Sequence, residues 1–171
     1  MESEIVDELG TPMPDGEIGE LIVKSNLVMN GYFNRQEENE KALRNGALYT
    51  GDVGYRDSDG FYYIVDRNKD LIISGGFNIY PSDLEAELEQ HPDVAEAAVI
   101  GVPSRAWGET PVGYVVLRPA ATIDRDALLA WVNARLGKTQ RLSDLILIAN
   151  LPRNEIGKTL KRELREQYLR A

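Results

Sequence analysis

The sequence predicts an α+β protein: an all-β segment followed by a small α+β segment whose sheet is mostly antiparallel. Three observations carry this. Up to about Val65 the apolar residues fall in short runs, separated by the turn-forming clusters Gly10-Thr11-Pro12-Met13-Pro14-Asp15-Gly16 and Asp57-Ser58-Asp59-Gly60, which is the pattern of hairpins. Beyond that point, strands alternate with stretches of helical spacing. Between the two lies Asp66–Glu85, DRNKDLIISGGFNIYPSDLE, where an apolar run, a glycine pair and a helix start follow in close succession.

In the first segment, Ile5–Leu9 and Glu17–Lys24 read as strands on either side of the first turn cluster. Asn26–Asn34 has mixed character, and its Gly31-Tyr32-Phe33 suits either packing or a ligand. Gln36–Arg44 reads as a short polar surface helix stopped by Asn45-Gly46. Leu48–Tyr55 and Phe61–Val65 are strands around Asp57–Gly60, whose Asp-Gly ending is a hairpin signal. In the joint, Leu71-Ile72-Ile73 is a β run and Ser74-Gly75-Gly76 a tight turn. Pro81-Ser82-Asp83 then opens a helix to Gln90, with proline and acid in its first turn and Leu84 and Leu88 on one face. Val94–Val102 and Val112–Leu117 are strands joined by a Gly- and Pro-rich loop over Pro103–Pro111. Asp124 caps a helix to about Leu136, with Leu128, Leu129, Val132 and Leu136 on one face. Leu145–Ala149 is a further strand and Thr159–Tyr168 a terminal helix.

With 171 residues the chain can bury a core without staples. It has no cysteine, which excludes disulfides, thiolate catalysis and cysteine-ligated metal and leans towards the cytoplasm. The formal charge of −9 argues against a nucleic-acid partner, since no broad basic face is available to neutralise phosphates. No apolar run approaches the ~20 residues of a membrane span. The amino terminus, MESEIVDELG, is acidic and patterned like a strand, so it is not read as a signal peptide. It is expected to be a start made inside a longer protein.

Several residues are candidates for chemistry. Tyr49-Thr50-Gly51-Asp52-Val53-Gly54-Tyr55 sets a carboxylate between two glycines in a β context. Such an aspartate can accept hydrogen bonds from two neighbouring hydroxyls, as in a ribose diol, while the glycines let the sugar approach the backbone. Equally, it can be a turn aspartate capping local amides. Arg67 follows a hairpin that could return it beside Asp52, where its guanidinium would meet a phosphate or ribose oxygen; otherwise it pairs with Asp66 or Asp70 on the surface. Lys158 follows Gly157 and can project as a long point charge towards a transferring phosphoryl or carboxylate oxygen, or be a surface lysine before a basic helix. A P-loop reading of Gly157-Lys158-Thr159 fails, because no glycine stands upstream at the spacing the motif needs. Lys138, Arg141 and the terminal Arg and Lys residues form a local basic surface, fit for a small polyanion or simply solvated. Trp107 is either a core anchor or a ring for stacking a ligand. His91, beside Pro92, reads as a helix-end residue with no serine-histidine-acid set or metal cluster around it.

Three motifs in order, YTGDVGY, IVDRNKDLIISGGFNIYPSDLE and LPRNEIGKTLKRELR, resemble the carboxyl-terminal third of the adenylate-forming family. That family includes acyl-CoA synthetases, peptide-synthetase adenylation domains and luciferases. The form SGGFNIYPSDLE is most similar to fatty-acyl-CoA and related carboxylate-CoA ligases. The resemblance implies an acyl-adenylate made from ATP and a small-molecule carboxylate with release of pyrophosphate, then transfer of the acyl group to coenzyme A. It implies nucleotide contacts from Asp52, Arg67 and Ile64, and a mobile catalytic Lys158. Lys69 falls at the family's hinge position. Ser74, Gly75, Gly76, Phe77 and Trp107 would border the pantetheine channel. Arg141 is a candidate for a CoA phosphate, although the proline common nearby in relatives is absent from Lys138-Thr139-Gln140-Arg141. Mg²⁺ would accompany ATP, and no metal is expected to be ligated by these residues.

The resemblance divides the chain into 1–65, a partial β-barrel ending a large amino-terminal domain; 66–70, a hinge; and 71–171, a mobile α+β lid. The family's Ser/Thr/Gly-rich phosphate loop and its acyl pocket have no counterpart here. The chain is therefore expected to be a fragment that needs the missing large domain as its partner and does not adenylate alone. Two further readings stay open: a non-catalytic binding module that has kept the lid fold, and the end of a peptide-synthetase adenylation domain.

Overall fold

The structure is a computed structural model and describes residues 2–170. The chain falls into two compact units, Met1–Lys69 and Asp70–Ala171. Each is built on one ten-residue strand that carries neighbours along both of its edges.

In the first unit that strand is β4 (Ala47–Arg56). Strand β2 (Gly19–Lys24) pairs antiparallel along one edge, and β1 (Glu2–Val6) continues the sheet beyond it. On the other edge lie β3 (Leu43–Arg44) and then β5 (Tyr62–Arg67), so that this antiparallel sheet forms half of a barrel. The first strand ends at Val6, earlier than expected, because the Asp7 carboxylate accepts hydrogen bonds from the Leu9 and Thr11 amides and turns the chain. Helix α1 (Gln36–Ala42) buries no residue, and β3 follows it directly, closed onto β4 through Asn45-Gly46. Two residues have no periodicity to read, which is why β3 is not visible in the sequence. The core is small: Val6, Ile22 and Ala47, with Tyr49 packed against them.

The second unit is organised on β9 (Gly108–Leu117). Strand β8 (Val94–Ser104) pairs antiparallel along its whole length, so the expected Pro103–Pro111 loop is only the turn Arg105-Ala106-Trp107. The other edge of β9 takes β10 (Asp144–Leu147) in parallel and β6 (Ile72–Ser74) antiparallel. β6 pairs in turn with β7 (Phe77–Ile79), a strand hidden in the joint, through the two-residue turn Gly75-Gly76. Alternation along β8 and β9 sends side chains to opposite faces. Val99 and Val115 pack with Leu84 and Leu88 of α2 (Pro81–Glu89) and Leu128 and Val132 of α3 (Arg125–Arg135). Ile100, Val112 and Tyr114 pack with Leu164 of α4 (Lys161–Arg170). Asp124 caps α3 as the sequence predicts, its Oδ1 accepting from the Ala127 amide at 2.8 Å. The free edge of β8 is covered by side chains, Glu85 accepting from the Val99 amide at 2.7 Å and Arg165 donating to the Gly101 carbonyl at 2.9 Å. An edge so occupied cannot recruit another strand.

Candidate functional site

In the first unit the ladder between β2 and β4 breaks. Glu20 pairs with Val53 and Ile22 with Tyr49, so Leu21 alone faces Thr50, Gly51 and Asp52. Backbone groups excluded from a ladder must find other partners, and side chains provide them. The Thr50 hydroxyl donates to the Leu21 carbonyl at 2.7 Å and accepts from the Asp52 amide at 3.1 Å. The Gly51 amide donates to Glu20 Oε1 at 3.0 Å. Gly51 sits at φ +73°, and among the described residues none but its two chain neighbours has an atom within 4 Å of where its Cβ would be. Its lack of a side chain therefore serves the backbone conformation and leaves open space in front of Asp52.

Asp52 is the cross-strand partner of Arg67 on β5, and Arg67 Nε lies 2.8 Å from Asp52 Oδ1. The pair takes Asp52 away from capping its own turn, and Arg67 meets Asp66 through its backbone, the Arg67 amide donating to Asp66 Oδ1 at 2.7 Å. A second irregularity, between Val53 and Gly54, sets Ile64 opposite Gly54. Asp52 and Gly54 share a face of β4, so their partners Arg67 and Ile64 share it as well, although an unbroken strand would send residues three apart to opposite faces. Gly54 differs from the expectation that both glycines admit a ligand. Its Cβ would lie 3.1 Å from the Tyr63 carbonyl carbon and 3.2 Å from Ile64 Cα, with the Tyr63 oxygen closer still. Gly54 lets β5 approach, not a sugar.

A cleft of about 830 Å³ opens beside the break, lined by residues that include Glu20, Arg44, Tyr49, Gly51, Arg67 and Lys69. Ile64 is exposed and is not part of its lining. The Arg44 guanidinium stacks over the Tyr49 ring at 3.7 Å, forming one charged wall. Lys69 lies in a single 3₁₀ turn, Asn68–Asp70, at the last residue of the first unit.

In the second unit, Trp107 lies over the Gly75-Gly76 turn. Its carbonyl accepts from the Gly75 amide at 2.8 Å, and a Cβ on Gly75 would come within 2.7 Å of the indole. Trp107 is 59% exposed, which rules out the core-anchor reading, and Phe77 is as open. Ser74 is buried and pairs with Gly108. A pocket of about 290 Å³ brings Ser74, Trp107 and Arg141 together with Thr110, Lys138 and Ser143; Gly75, Gly76 and Phe77 are not in its lining. Asn133 of α3 holds the basic loop in place, its side-chain amide bonding both the carbonyl and the amide of Leu142 at 2.9 and 2.8 Å. Neither Asn133 nor Glu109, whose carboxylate accepts from the Ile73 amide at 3.1 Å, carries a local sequence signal. Both act on backbone outside their own element, nine residues away for Asn133 and 36 for Glu109.

Lys158 sits in a small closed loop. Asn154 Oδ1 accepts from the Lys158 amide at 2.8 Å, the Asn154 amide donates to the Lys158 carbonyl at 3.0 Å, and Arg153 donates to the Gly157 carbonyl at 2.6 Å. The backbone at Gly157 is thus held rather than loosened. The side chain of Lys158 is exposed, and among the described residues it forms no ion pair within 4 Å. His91 ends α2, its Nδ1 accepting from the Asp93 amide at 3.1 Å and its ring edge-on to Trp131. Among the described residues no three His, Asp or Glu side chains gather as a metal would require, and no helix is long and apolar enough to cross a membrane.

The family described as AMP-binding enzyme C-terminal domain matches residues 83–158. Over 98% of the chain, the backbone superimposes on 34% of ATP-bound MatB from Rhodopseudomonas palustris with a TM-score of 0.91 and 39% identity. The chain belongs to the adenylate-forming family, in its carboxyl-terminal portion. Among curated relatives of this family member, the 2-succinylbenzoate–CoA ligase of Geobacillus kaustophilus is 46% identical over 91% of the chain and 32% of the relative. The medium/long-chain-fatty-acid–CoA ligase FadD8 of Mycobacterium tuberculosis is 39% identical over 96% of the chain and 30% of the relative. The chain thus spans about a third of the length of the curated relatives it matches.

Proposed function

We propose that this chain is the carboxyl-terminal part of an AMP-forming acyl-CoA ligase. In the first half-reaction a substrate carboxylate oxygen attacks the α-phosphorus of ATP and pyrophosphate leaves. In the second, the thiol of coenzyme A attacks the acyl carbonyl, the carbon–oxygen bond to AMP breaks, and the thioester forms. The observation that carries the reading is the Asp52–Arg67 pair, 2.8 Å apart beside the open face of Gly51. One carboxylate oxygen held by the guanidinium leaves the other to accept from ribose hydroxyls, and the exposed Ile64 on the same face offers an apolar surface to the base. Lys158, on a held backbone with a free ammonium, supplies charge where negative charge builds up on the phosphoryl and carboxylate oxygens.

Lys69, at the end of the first unit, acts as the pivot between the two half-reactions. Ser74, Gly75, Gly76, Phe77 and Trp107 border the path of the pantetheine, and Arg141, with Lys138 beside it, meets a CoA phosphate. The pocket shared by Ser74, Trp107 and Arg141 supports that grouping. The substrate is a fatty acid or related carboxylate, in keeping with what FadD8 is named for. A large amino-terminal domain supplies the acyl pocket and the phosphate loop, and Mg²⁺ arrives with ATP. These co-substrates fit a cytoplasmic enzyme.

The test is pyrophosphate release by the full-length protein with and without Lys158→Ala. The substitution is expected to slow adenylation about 10²–10³-fold, while the 171-residue chain alone shows no pyrophosphate exchange. Adenylation at the parent rate in the variant would overturn the role of Lys158. Failure of the full-length protein to form AMP with any carboxylate would overturn the ligase.

A further inference from the structure

The break in the β2–β4 ladder contains a carboxylate that the ribose-binding reading leaves without a task. Glu20 shares a face of β2 with the core residue Ile22, and its side chain is only 16% exposed. A carboxylate turned inward needs partners. It has three: the Gly51 amide on Oε1 at 3.0 Å, and on Oε2 the Asn68 side-chain amide at 3.5 Å and the Arg44 guanidinium at 3.9 Å. Gly51 immediately precedes Asp52, and Asn68 immediately follows Arg67. The two oxygens of one side chain therefore reach the chain neighbours of both members of the Asp52–Arg67 pair, from a strand that contributes neither.

We infer that Glu20 is a positioning residue for the nucleotide, setting the orientation of Asp52 and Arg67 by gripping Gly51 and Asn68. The inference rests on the reading that Asp52 and Arg67 bind the ribose. Three features favour this over simple stabilisation of the sheet. Gly51 is left-handed at φ +73° with open space where its Cβ would be, so the hydrogen bond to Glu20, beside those of the Thr50 hydroxyl, holds a segment that has no packing on that side. The grip falls where β4 leaves its ladder with β2. Finally, Arg44 is kept beside the carboxylate while its guanidinium lies on the Tyr49 ring, which ties the cleft wall to the same anchor.

The test compares Glu20→Ala, Glu20→Asp and Glu20→Gln in the full-length protein, reading KM for ATP and kcat of adenylation, with hydrogen exchange at the Gly51 amide read in parallel. Glu20→Ala and Glu20→Asp, the second keeping the charge but losing the reach, are expected to raise KM for ATP about ten-fold with kcat within about two-fold. Both should also speed Gly51 exchange about ten-fold. Glu20→Gln retains an acceptor for Gly51 and is expected to stay within about three-fold of the parent in both. Should Glu20→Ala fail to fold, the Asp and Gln variants decide. If Asp52→Ala raises KM for ATP while Glu20→Asp leaves it unchanged, Glu20 does not position the site. If Glu20→Asp speeds Gly51 exchange while neither it nor Asp52→Ala alters KM for ATP, the grip is real but the ribose-binding reading fails, and the positioning role with it.

Discussion

Gly51 and Gly54 flank Asp52 for opposite physical reasons, and alanine at each position separates them. At Gly51 an added Cβ meets nothing within 4 Å, so the cost is confined to the left-handed φ of +73°, about 1–2 kcal/mol for an L residue. The stiffer unfolded chain returns about 0.4–1 kcal/mol. The net loss of about 1 kcal/mol should lower the melting temperature of a unit this small by about 4–8 °C. Gly51→Asn should cost less, because asparagine tolerates this conformation. At Gly54 the new Cβ would meet backbone, with the Tyr63 carbonyl carbon at 3.1 Å and Ile64 Cα at 3.2 Å. No rotamer change relieves that, so β4 and β5 must part. Two ladder bonds at about 1 kcal/mol each and up to about 1 kcal/mol from the exposed Asp52–Arg67 pair give a loss near 3 kcal/mol. At ~0.05–0.15 kcal/mol per residue, that is a large share of what Met1–Lys69 can hold. Urea titration followed by circular dichroism, with hydrogen exchange assigning the loss to the first unit, measures both. The reasoning is refuted if Gly54→Ala is no more costly than Gly51→Ala, or if Gly51→Asn is as costly as Gly51→Ala.

Lys69→Pro, which stiffens the turn at the unit boundary, is expected to spare adenylation in the full-length protein and to slow thioester formation; equal loss of both steps in a coupled assay would remove the pivot. Leu88→Ala, at a fully buried position of α2 facing Gly113, should destabilise the second unit by about 2–5 kcal/mol in chemical denaturation. The Asp93 carboxylate is held below its ordinary pKa by hydrogen bonds from the Thr122 and Ile123 amides. A depressed folded value means that its stabilisation is present above the unfolded pKa of about 3.9 and is lost as pH falls through the lower folded value. Stability measured from pH 7 down to 2 should therefore fall across that window, and Asp93→Asn should flatten this part of the profile while lowering stability at pH 7.

How much was legible in the sequence varies from element to element. The helices opened by Pro81 and capped by Asp124 lie where proline chemistry and side-chain capping put them, because a cap or a first turn is decided within a few residues. The β8–β9 pairing is similarly local, but its turn proved far shorter than the Gly- and Pro-rich connection suggested. Strand pairing had consumed residues that composition alone reads as loop. β3 and β7 leave no trace in the sequence because two or three residues have no period, and the ladder that defines them is supplied by β4 and β6.

The residues in order carry the inventory: the α+β class, the glycine-bounded Asp52, Arg67, the Gly157-Lys158 step, and the succession of motifs that marks the adenylate-forming family. Which of those residues meet depends on how the strands pair. Asp52 faces Arg67, and Ile64 shares their face, through a one-residue irregularity between Val53 and Gly54. Trp107 sits exposed in the β8–β9 turn with its carbonyl tied to Gly75, and Glu20 reaches the Gly51 amide where the ladder fails opposite Leu21. The reason is plainest at Asp52 and Ile64. A strand's side-chain period is two, so one extra residue reverses every face beyond it, and that residue is chosen by the partner strand rather than by the strand's own sequence.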